Sequence, residues 1–377
     1  GGLAAGLGLV PALEPLAQAV AWVPWLCLAY TNAVVRWLAG WPAASVPVGA
    51  AGLAWLAAAY GLLGGGLGLG AWRRRGGKLP RLPVPGGAAR ALQGAGRTLL
   101  GLGLAGAVLA WLAVIQLPDG KLHVAFLDVG QGDGILITTP QGQQILVDGG
   151  PSPAALTSTL GREMPFWDHS LDLVALTHPD ADHLTGLLPV LARYRTGGWL
   201  DNGRPGGDAL YAECEGLLAA AEVPRRTVRA GARLDLGEGV VLEVLHPPEV
   251  LLYGTASDSN NNSLVLRLAW GEASFLLTGD VEAEAEALLL REGAVEPATV
   301  LKVGHHGSDG GSTAAWLAAV APRYAVISVG EDNRFEHPHE EVLARLAAQG
   351  AVVLRTDQVG TVEFVTDGQQ MWVRTER

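Results

Sequence analysis

Thr177-His178-Pro179-Asp180-Ala181-Asp182-His183 ends the apolar, strand-like run 171–177 and places four potential metal ligands within six residues. Pro179 disfavours a helical conformation at His178, so the loop can direct alternate side chains toward two points. A surface cluster of His and Asp is usually only solvated. Because this one ends a buried strand, it indicates a metal site instead.

Two further clusters follow strand-like runs in the same way. The first is Leu277-Thr278-Gly279-Asp280, and the second is Lys302-Val303-Gly304-His305-His306-Gly307-Ser308. Asp280 could also cap the helix that follows, because Asp is favoured at that position, while its other oxygen coordinates a cation. The three loops together hold enough carboxylate and imidazole for two metal ions, which favours a metal-dependent hydrolase.

The chain consists of two chemically different parts. Residues 1–117 hold eight Lys and Arg against one acid, a net charge of +7, whereas residues 118–377 hold eighteen bases against thirty-six acids, a net charge of −18. The uncharged runs 47–72 and 98–116 are each long enough to cross a bilayer, which takes about 20 residues. Residues 16–38 are a third candidate span or an interfacial helix. The first part is therefore predicted to be a membrane-spanning segment of two or three helices.

The basic residues of this segment predict its orientation. Seven of the eight lie in the loop 73–97, which has no acid. By the positive-inside rule this loop is cytoplasmic, and one further span places residues 118–377 outside the cell membrane. The chain opens on Gly1 rather than Met, so we expect it to be part of a longer multi-pass membrane protein. Cys27 and Cys214 lie in different parts and predict no disulfide framework.

The second part predicts an α/β fold. Strands come first, beginning with a three-stranded meander over 121–150, and strands then alternate with helices, among them 184–194 and 338–349. A hairpin is predicted over 263–278. This order suits two mixed sheets packed face to face with helices outside.

Seven motifs carry a family resemblance. They are Phe126-Leu127-Asp128-Val129-Gly130-Gln131-Gly132-Asp133, Leu146-Val147-Asp148-Gly149-Gly150, the string from His178 to His183, Asn261-Asn262-Ser263-Leu264-Val265, Leu277 to Asp280, Leu301 to Ser308, and His337-Pro338-His339. These motifs resemble the metallo-β-lactamase superfamily, most closely the C-terminal domain of the ComEC family of DNA-internalisation competence channels. Over about residues 121–370, the resemblance implies an αββα sandwich, preceded by transmembrane helices, with a two-metal site along one sheet edge.

The resemblance also implies a set of metal ligands. One ion would take His178, Asp180 and a bridging Asp280, and the other would take Asp182, His183, Asp280 and either His305 or His306. Asp180 replaces the usual second His of the superfamily, and the usual third His has no good counterpart. His246, Asn261, Asn262 and Ser263 are weak substitutes. Oxygen-rich ligation favours harder ions, so the two divalent ions are expected to be Mn²⁺ or Zn²⁺.

Catalytic roles follow from the same resemblance. Asp182 would orient the attacking water or act as a base. The His305 or His306 side chain that is not on metal, or His337 or His339, would bind phosphate or protonate the leaving oxygen. The His337-Pro338-His339 string could instead only begin a helix. Turn formation is an equally good explanation for Asp128, Gln131 and Asp133.

The preferred hypothesis is a nuclease that cuts DNA outside the membrane, destroying the strand that is not imported. Its expected partners are DNA, the lipid bilayer and other DNA-uptake components. The charge of −18 opposes broad DNA binding, so Lys302, Arg334 and the metal ions would have to supply local attraction. The alternatives are a hydrolase of another ester, such as a small phosphodiester or a choline-type headgroup, and a non-catalytic domain that guides DNA.

Overall fold

A computed structural model describes residues 118–207, 209–331 and 333–377, together with residues 101, 103–108, 111 and 116. The predicted spans 16–38 and 47–72, the basic loop 73–97 and most of the span 98–116 lie outside the described residues. Within the part that is described, no helix combines the length and the apolar character that crossing a bilayer requires. Residues 112–377 form one compact unit, and the fold described below belongs to it.

The strands and helices of this unit alternate along most of its length. The strands are β1 (Leu122–Phe126), β2 (Ile135–Thr138), β3 (Gln144–Val147), β4 (Ser170–Leu171), β5 (Leu173–Leu176), β6 (Arg195–Thr196), β7 (Trp199–Asp201), β8 (Arg225–Thr227), β9 (Arg233–Asp235), β10 (Val241–His246), β11 (Val265–Trp270), β12 (Ala273–Leu277), β13 (Val300–Lys302), β14 (Tyr324–Ile327), β15 (Val352–Arg355), β16 (Val362–Thr366) and β17 (Met371–Thr375). The helices are α1 (Pro153–Glu163), α2 (Ala181–Leu184), α3 (Leu187–Arg193), α4 (Ala209–Ala220), α5 (Ala283–Glu292), α6 (Ala314–Val320), α7 (Glu340–Ala348) and α8 (Thr356–Val359).

Two mixed sheets make up the sandwich. The first has eight strands in the order β17-β16-β1-β2-β3-β5-β7-β8, and the second has seven in the order β15-β14-β13-β12-β11-β10-β9. Apolar side chains of both sheets alternate into the layer between them, as in Leu122, Val124 and Phe126 of β1. Helices α1, α3 and α4 cover the outer face of the first sheet, and α5, α6 and α7 cover that of the second. The predicted αββα sandwich is confirmed.

Aromatic rings join the two sheets at the centre of this layer. The ring of Phe364 on β16 meets Phe126 of its own sheet and Phe275 of the other sheet edge to face, each at a centroid distance of 5.9 Å. All three side chains are fully buried. Truncating one of them to Ala would cost about 3–5 kcal/mol, because the close-packed layer cannot collapse into the space that is left.

The structure differs from the sequence-based prediction in several elements. The helix predicted over 184–194 is confirmed in α3 (Leu187–Arg193), but it begins three residues later, after a turn at residues 185 and 186 that separates it from α2. The backbone N–H of Gly186 donates to the Gly150 carbonyl oxygen at 2.9 Å instead of to the preceding turn, and a side chain at Gly186 would collide with the backbone oxygen of Gly149. Helix α1, with Ser152 as its N-cap, and the edge strand β17 were not predicted.

Strand direction determines where the loops of the three clusters meet. Strands β3, β5 and β7 run parallel in the first sheet, and β12, β13, β14 and β15 run parallel in the second. The carboxyl ends of parallel strands lie at one edge of a sheet, where α/β proteins place their ligands. The sandwich therefore brings the loops after β5, β12 and β13 to the same edge.

Candidate metal centre

Four side chains from the three loops form a compact group. They are Asp182 and His183 after β5, Asp280 after β12, and His306 after β13, and their ligand atoms all lie within 4.8 Å of one another. Oδ2 of Asp280 lies 3.2 Å from Nε2 of His183 and 3.3 Å from Nε2 of His306. Oδ2 of Asp182 lies 3.5 Å from the same nitrogen of His306. The loops thus converge on one point, as the sequence predicts.

The imidazoles are oriented so that Nε2 points into the group. Nδ1 of His306 donates a hydrogen bond to the Ser328 carbonyl oxygen at 2.8 Å, and Nδ1 of His183 donates one to Oδ2 of Asp148 at 2.8 Å. Because Nδ1 carries the proton in both rings, Nε2 keeps its lone pair in the neutral imidazole. Both Nε2 atoms are buried without a hydrogen-bond partner. This is the arrangement that metal-binding histidines have.

Asp148 fixes the position of His183. One of its oxygens accepts from the Thr177 backbone N–H at 2.8 Å, and the other accepts from the Thr177 hydroxyl at 2.7 Å as well as from His183. The carboxylate is fully buried after β3, so it connects the first sheet to the loop that carries His183. A carboxylate behind a histidine in this way orients the ring and raises its basicity toward a metal.

His178 and Asp180 lie beside the group of four. The rings of His178 and His183 are 4.1 Å apart, and Nε2 of His178 is also buried without a hydrogen-bond partner. Its Nδ1 lies 3.0 Å from Oγ1 of Thr177, which already donates its proton to Asp148 and so accepts from His178. Oδ2 of Asp180 lies 3.7 Å from Nε2 of His178.

His305 points away from the group of four. Its Nδ1 lies 2.9 Å from Oε1 of Glu282 and 3.4 Å from the side-chain nitrogen of Asn260, and part of the ring is exposed. Of the two adjacent histidines that the sequence leaves open as ligands, the structure places His306 among the carboxylates and His305 against Glu282.

Lys302 occupies a position that the sequence does not reveal. Its side chain is fully buried, with Nζ 2.5 Å from Oδ2 of Asp133, 3.3 Å from Oδ1 of Asp280 and 2.7 Å from the Gly279 carbonyl oxygen. The expectation that Lys302 attracts DNA at the surface is therefore wrong, because β13 directs this side chain into the sandwich beneath the site. Asp133, for which the sequence leaves turn formation open as an explanation, is the ion-pair partner of Lys302.

The charges of the centre favour a cation. Burial lowers the pKa of His306, but the carboxylates of Asp280 and Asp182 outweigh this effect and raise it to about 9. Burial likewise lowers the pKa of His183, and Asp280 and Asp148 raise it well above its ordinary value. Among the described residues, the carboxylates of Asp133, Asp148, Asp182 and Asp280 face a single ammonium group, so the centre is three charges negative when its imidazoles are neutral. Protons bound to the imidazoles offset part of this negative charge. A divalent cation can take the place of those protons.

The donor set fits a divalent metal ion. Three buried Nε2 atoms, of His178, His183 and His306, have no hydrogen-bond partner, and the carboxylates of Asp182 and Asp280 stand beside two of them. Nitrogen and carboxylate oxygen donors in this ratio suit both Zn²⁺ and Mn²⁺.

Comparison with known proteins agrees with this geometry. The model of the metallo-beta-lactamase superfamily matches residues 127–331, more than half of the chain. The chain belongs to the metallo-β-lactamase superfamily. Solved structures similar to this metallo-β-lactamase domain include YhfI from Bacillus subtilis, with 14% identity and a TM-score of 0.42 over 67% of this chain and 100% of that one. Another is Zn²⁺-bound PqqB from Methylobacterium extorquens, with 14% identity and a TM-score of 0.41 over 62% and 97%.

Curated relatives confirm the resemblance to the ComEC family. ComE operon protein 3 of Bacillus subtilis is 33% identical over 64% of this chain and 33% of its own length. Competence protein ComA of Neisseria gonorrhoeae is 34% identical over 66% and 33%. Recombination protein 2 of Haemophilus influenzae is 31% identical over 66% and 29%. The match spans about a third of the length of these relatives.

Backbone strain coincides with the metal centre of this metallo-β-lactamase domain. Asp148, His305 and His306 have φ angles of 58°, 47° and 54°, in the left-handed region that residues with a side chain seldom adopt. Such conformations persist only where the surrounding structure enforces them, and they cluster at functional sites. Here the strain turns adjacent histidines in different directions, one toward Asp280 and one toward Glu282.

The other histidines of the domain have different surroundings. His337 is buried, its ring lies 5.5 Å from that of His305 and 5.1 Å from that of His339, and its Nδ1 has no hydrogen-bond partner. Burial, followed by the charges of His305, His306 and His339, lowers its pKa to about 4. His339 is the N-cap residue of α7, so the string precedes a helix, with Pro338 before the cap rather than in the first turn.

The weak substitutes for a third histidine have structural partners. Nε2 of His246 donates to the Asn261 carbonyl oxygen at 2.8 Å. The Asn261 side-chain oxygen accepts from the backbone N–H groups of Glu282 and Ala285, so Asn261 caps α5, the task expected of Asp280. The Asn262 amide donates to two carbonyl oxygens, and the Ser263 hydroxyl faces Nδ1 of His178.

Sequence reasoning missed Asp133, Asp148 and Lys302 as parts of the centre. A signal was present for Asp148, because it ends the apolar strand β3 just as Asp280 follows the apolar strand β12. No signal marks Lys302, since its burial depends on partners that are far away in sequence.

Proposed function

We propose that residues 118–377 are the extracytoplasmic, metal-dependent nuclease domain of a multi-pass DNA-uptake channel in the cell membrane. The domain would hydrolyse phosphodiesters of the DNA strand that is not imported during natural transformation. The convergence of Asp182, His183, Asp280 and His306 at one sheet edge carries this proposal. The names of the relatives, a competence protein among them, support the connection to DNA uptake.

We assign the ligands of two divalent ions, Mn²⁺ or Zn²⁺, to the residues that the structure groups. Asp182, His183, Asp280 and His306 would hold one ion, and His178 with Asp180 would supply the second beside Asp280. When bound, such ions activate water as a nucleophile and stabilise the charge on phosphoryl oxygens. Lys302 lies against Oδ1 of Asp280, so Oδ2 would be the oxygen of this carboxylate available to hold metal.

Other side chains would move protons and orient the substrate. Asp182 has a carboxylate that is about a third exposed, and among the group of four it is therefore the residue best placed to orient a water at the open side. His305 is partly exposed beside Glu282, and it would bind phosphate or protonate the leaving oxygen. His337, with its pKa lowered to about 4, is neutral near pH 7 and would accept a hydrogen bond rather than donate a proton.

The location of the domain follows from charge. The basic loop 73–97 is assigned to the cytoplasm, and one further span carries residues 118–377 across the membrane. The partners would be DNA, the lipid bilayer and other components of DNA uptake. Alkaline phosphatase fused after Arg377 tests this topology: it would be active if the domain is extracytoplasmic and inactive if it is not.

Digestion of labelled single-stranded DNA with added Mn²⁺ tests the activity. The wild-type protein should cleave, EDTA should abolish cleavage, and Asp182→Ala should lose it. Asp128→Ala is a matched control, because Asp128 also follows a strand but pairs with Arg377 at the surface. Cleavage that Asp182→Ala retains would refute the assignment.

Two alternatives remain as outcomes of defined measurements. A hydrolase of another ester would bind metal and turn over a small phosphodiester or choline-type ester but leave DNA intact. A domain that only guides DNA would bind no ion at saturating Mn²⁺ or Zn²⁺, a result that the absent third superfamily histidine would then explain.

A further inference from the structure

An exposed aromatic side chain lies in the loop that carries His337. Phe335, in the loop between β14 and α7, is 48% exposed. The guanidinium carbon of Arg334 lies 4.8 Å from the centroid of its ring. The ring of His337 is stacked on Phe335 at 5.7 Å with an interplanar angle of 25°. A half-exposed apolar ring with a cation over it has no role in the core of the domain.

Successive ring contacts lead from Phe335 to the metal centre. The ring of His337 lies 5.5 Å from that of His305, and the ring of His305 lies 6.2 Å from that of His306. His306 belongs to the group of four ligands. A strand that places a phosphodiester at the metal centre would therefore extend neighbouring nucleotides over this loop.

The loop is held in place by its own hydrogen bonds. The side chain of Asn333 accepts from the backbone N–H of His337 at 3.0 Å and donates to the carbonyl oxygen of the same residue at 2.8 Å. The backbone N–H of His339 donates to the Gly307 carbonyl oxygen at 2.9 Å, which connects the loop to the segment that carries His306. Phe335 is thus presented in a fixed position, and little conformational entropy is lost when a flat ligand stacks on it.

The charge of the domain makes stacking the more effective source of affinity. Residues 118–377 carry a net charge of −18, so contacts to the phosphate backbone contribute little outside the metal centre. Stacking of a base on an aromatic ring does not depend on net charge, and it contributes about 1–3 kcal/mol per base. Arg334 adds a planar cation that can share the same base.

We propose that Phe335, with Arg334, is a stacking platform for an unpaired nucleobase of the strand held at the metal centre. The inference rests on the proposed nuclease function and specifies its substrate as single-stranded nucleic acid. A base inside a duplex has both faces covered by its neighbours, and exposing it costs unstacking energy. The platform would therefore favour single strands over duplexes of the same length.

Binding of a fluorescent oligonucleotide with a nuclease-resistant phosphorothioate backbone, measured by polarisation at saturating Mn²⁺, tests the platform. Phe335→Ala should weaken binding of single-stranded DNA by roughly 5- to 150-fold, the equivalent of one stacked base. Phe335→Trp should restore it, because Trp offers a larger ring. Phe166→Ala is the control, since Phe166 is also an exposed phenylalanine, 52% accessible, but it packs against Trp167 in another loop.

An abasic strand of the same length separates the platform from the nuclease. The wild type should bind the normal strand more tightly than the abasic one, and Phe335→Ala should reduce this ratio toward one. If Phe335→Ala binds the normal strand as tightly as the wild type and Phe166→Ala do, the platform is wrong, whether or not Mn²⁺-dependent cleavage is found. If the ratio falls but no variant cleaves DNA, the platform stands and the nuclease proposal fails.

Discussion

Nζ of Lys302 lies 3.3 Å from Oδ1 of Asp280, while Oδ2 of the same carboxylate lies 3.2 Å from Nε2 of His183. Asp280 therefore connects a buried ammonium group on one side with the proposed ligands on the other. Lys302 also pairs with Asp133. This lysine is therefore the internal counter-ion of the acidic centre. Removing one partner of a buried ion pair costs stability, because the other charge is left buried and unpaired.

Replacing Lys302 by Met should destabilise the metal-free protein by about 3–5 kcal/mol, because Asp133 and Asp280 would then be buried without a counter-charge. Added Mn²⁺ should recover part of the loss by neutralising Asp280. Urea unfolding with and without metal measures both effects. Lys121→Met, at an exposed lysine, should change the free energy of unfolding by less than about 1 kcal/mol. Equal effects of the two variants would show that Lys302 is not the counter-ion.

The fold could be predicted because it depends on local patterns. Apolar strands bounded by turn residues predict the sandwich. Loops with acidic residues or histidines at the ends of these strands predict the sheet edge that carries the site, and the three loops do meet there. The helix predicted over 184–194 begins later, at Leu187, because the Gly186 backbone N–H pairs with the loop after β3, a contact that no local pattern records.

The candidate site could be predicted only in part. His178, Asp182, His183 and Asp280 stand out because each follows a strand. The choice between His305 and His306 depends on φ angles that turn neighbouring side chains apart. Asp133 and Lys302 are more than 160 positions apart in the sequence. Their roles depend on the ion pair between them, which forms only when the chain folds.

Replacing Asp148 by Asn should lower metal affinity about 10- to 100-fold, because the carboxylate that orients and polarises His183 loses its charge. Calorimetric titration with Zn²⁺ or Mn²⁺ gives the dissociation constant. Asp128→Asn is the matched control, since its carboxylate pairs with Arg377 and lies near the surface. Unchanged affinity in Asp148→Asn would mean that His183 does not bind the ion through Nε2.

The stability of the protein should depend on pH through His246. Burial lowers the pKa of His246 to about 4, whereas the same group in the unfolded chain has a pKa of about 6.5. Between these pH values the unfolded state binds a proton on His246, whereas the folded state does not. The free energy of unfolding therefore falls as the pH drops from about 6.5 to about 4, by roughly 3 kcal/mol in total. Urea unfolding across this range should show a shallower loss in His246→Gln, which keeps a donor for the Asn261 carbonyl oxygen. Parallel pH curves for the two proteins would exclude His246 as the cause.

The thiol of Cys214 should be unreactive in the folded protein. It lies on α4, is 1% exposed, and burial raises its pKa to about 12. Since the thiolate is the reactive form, a Cys27→Ser variant should not react with a disulfide reagent at pH 8 until it is unfolded in urea. Rapid labelling of the native variant would mean that α4 opens readily from the first sheet.

Anomalous X-ray scattering from crystals grown with Mn²⁺ tests the central claim most directly, because it locates the ion independently of activity. We predict a peak among Nε2 of His183 and His306 and the carboxylate oxygens of Asp182 and Asp280. Crystals that bind Mn²⁺ elsewhere, or that show no peak at this sheet edge at saturating metal, would contradict the account.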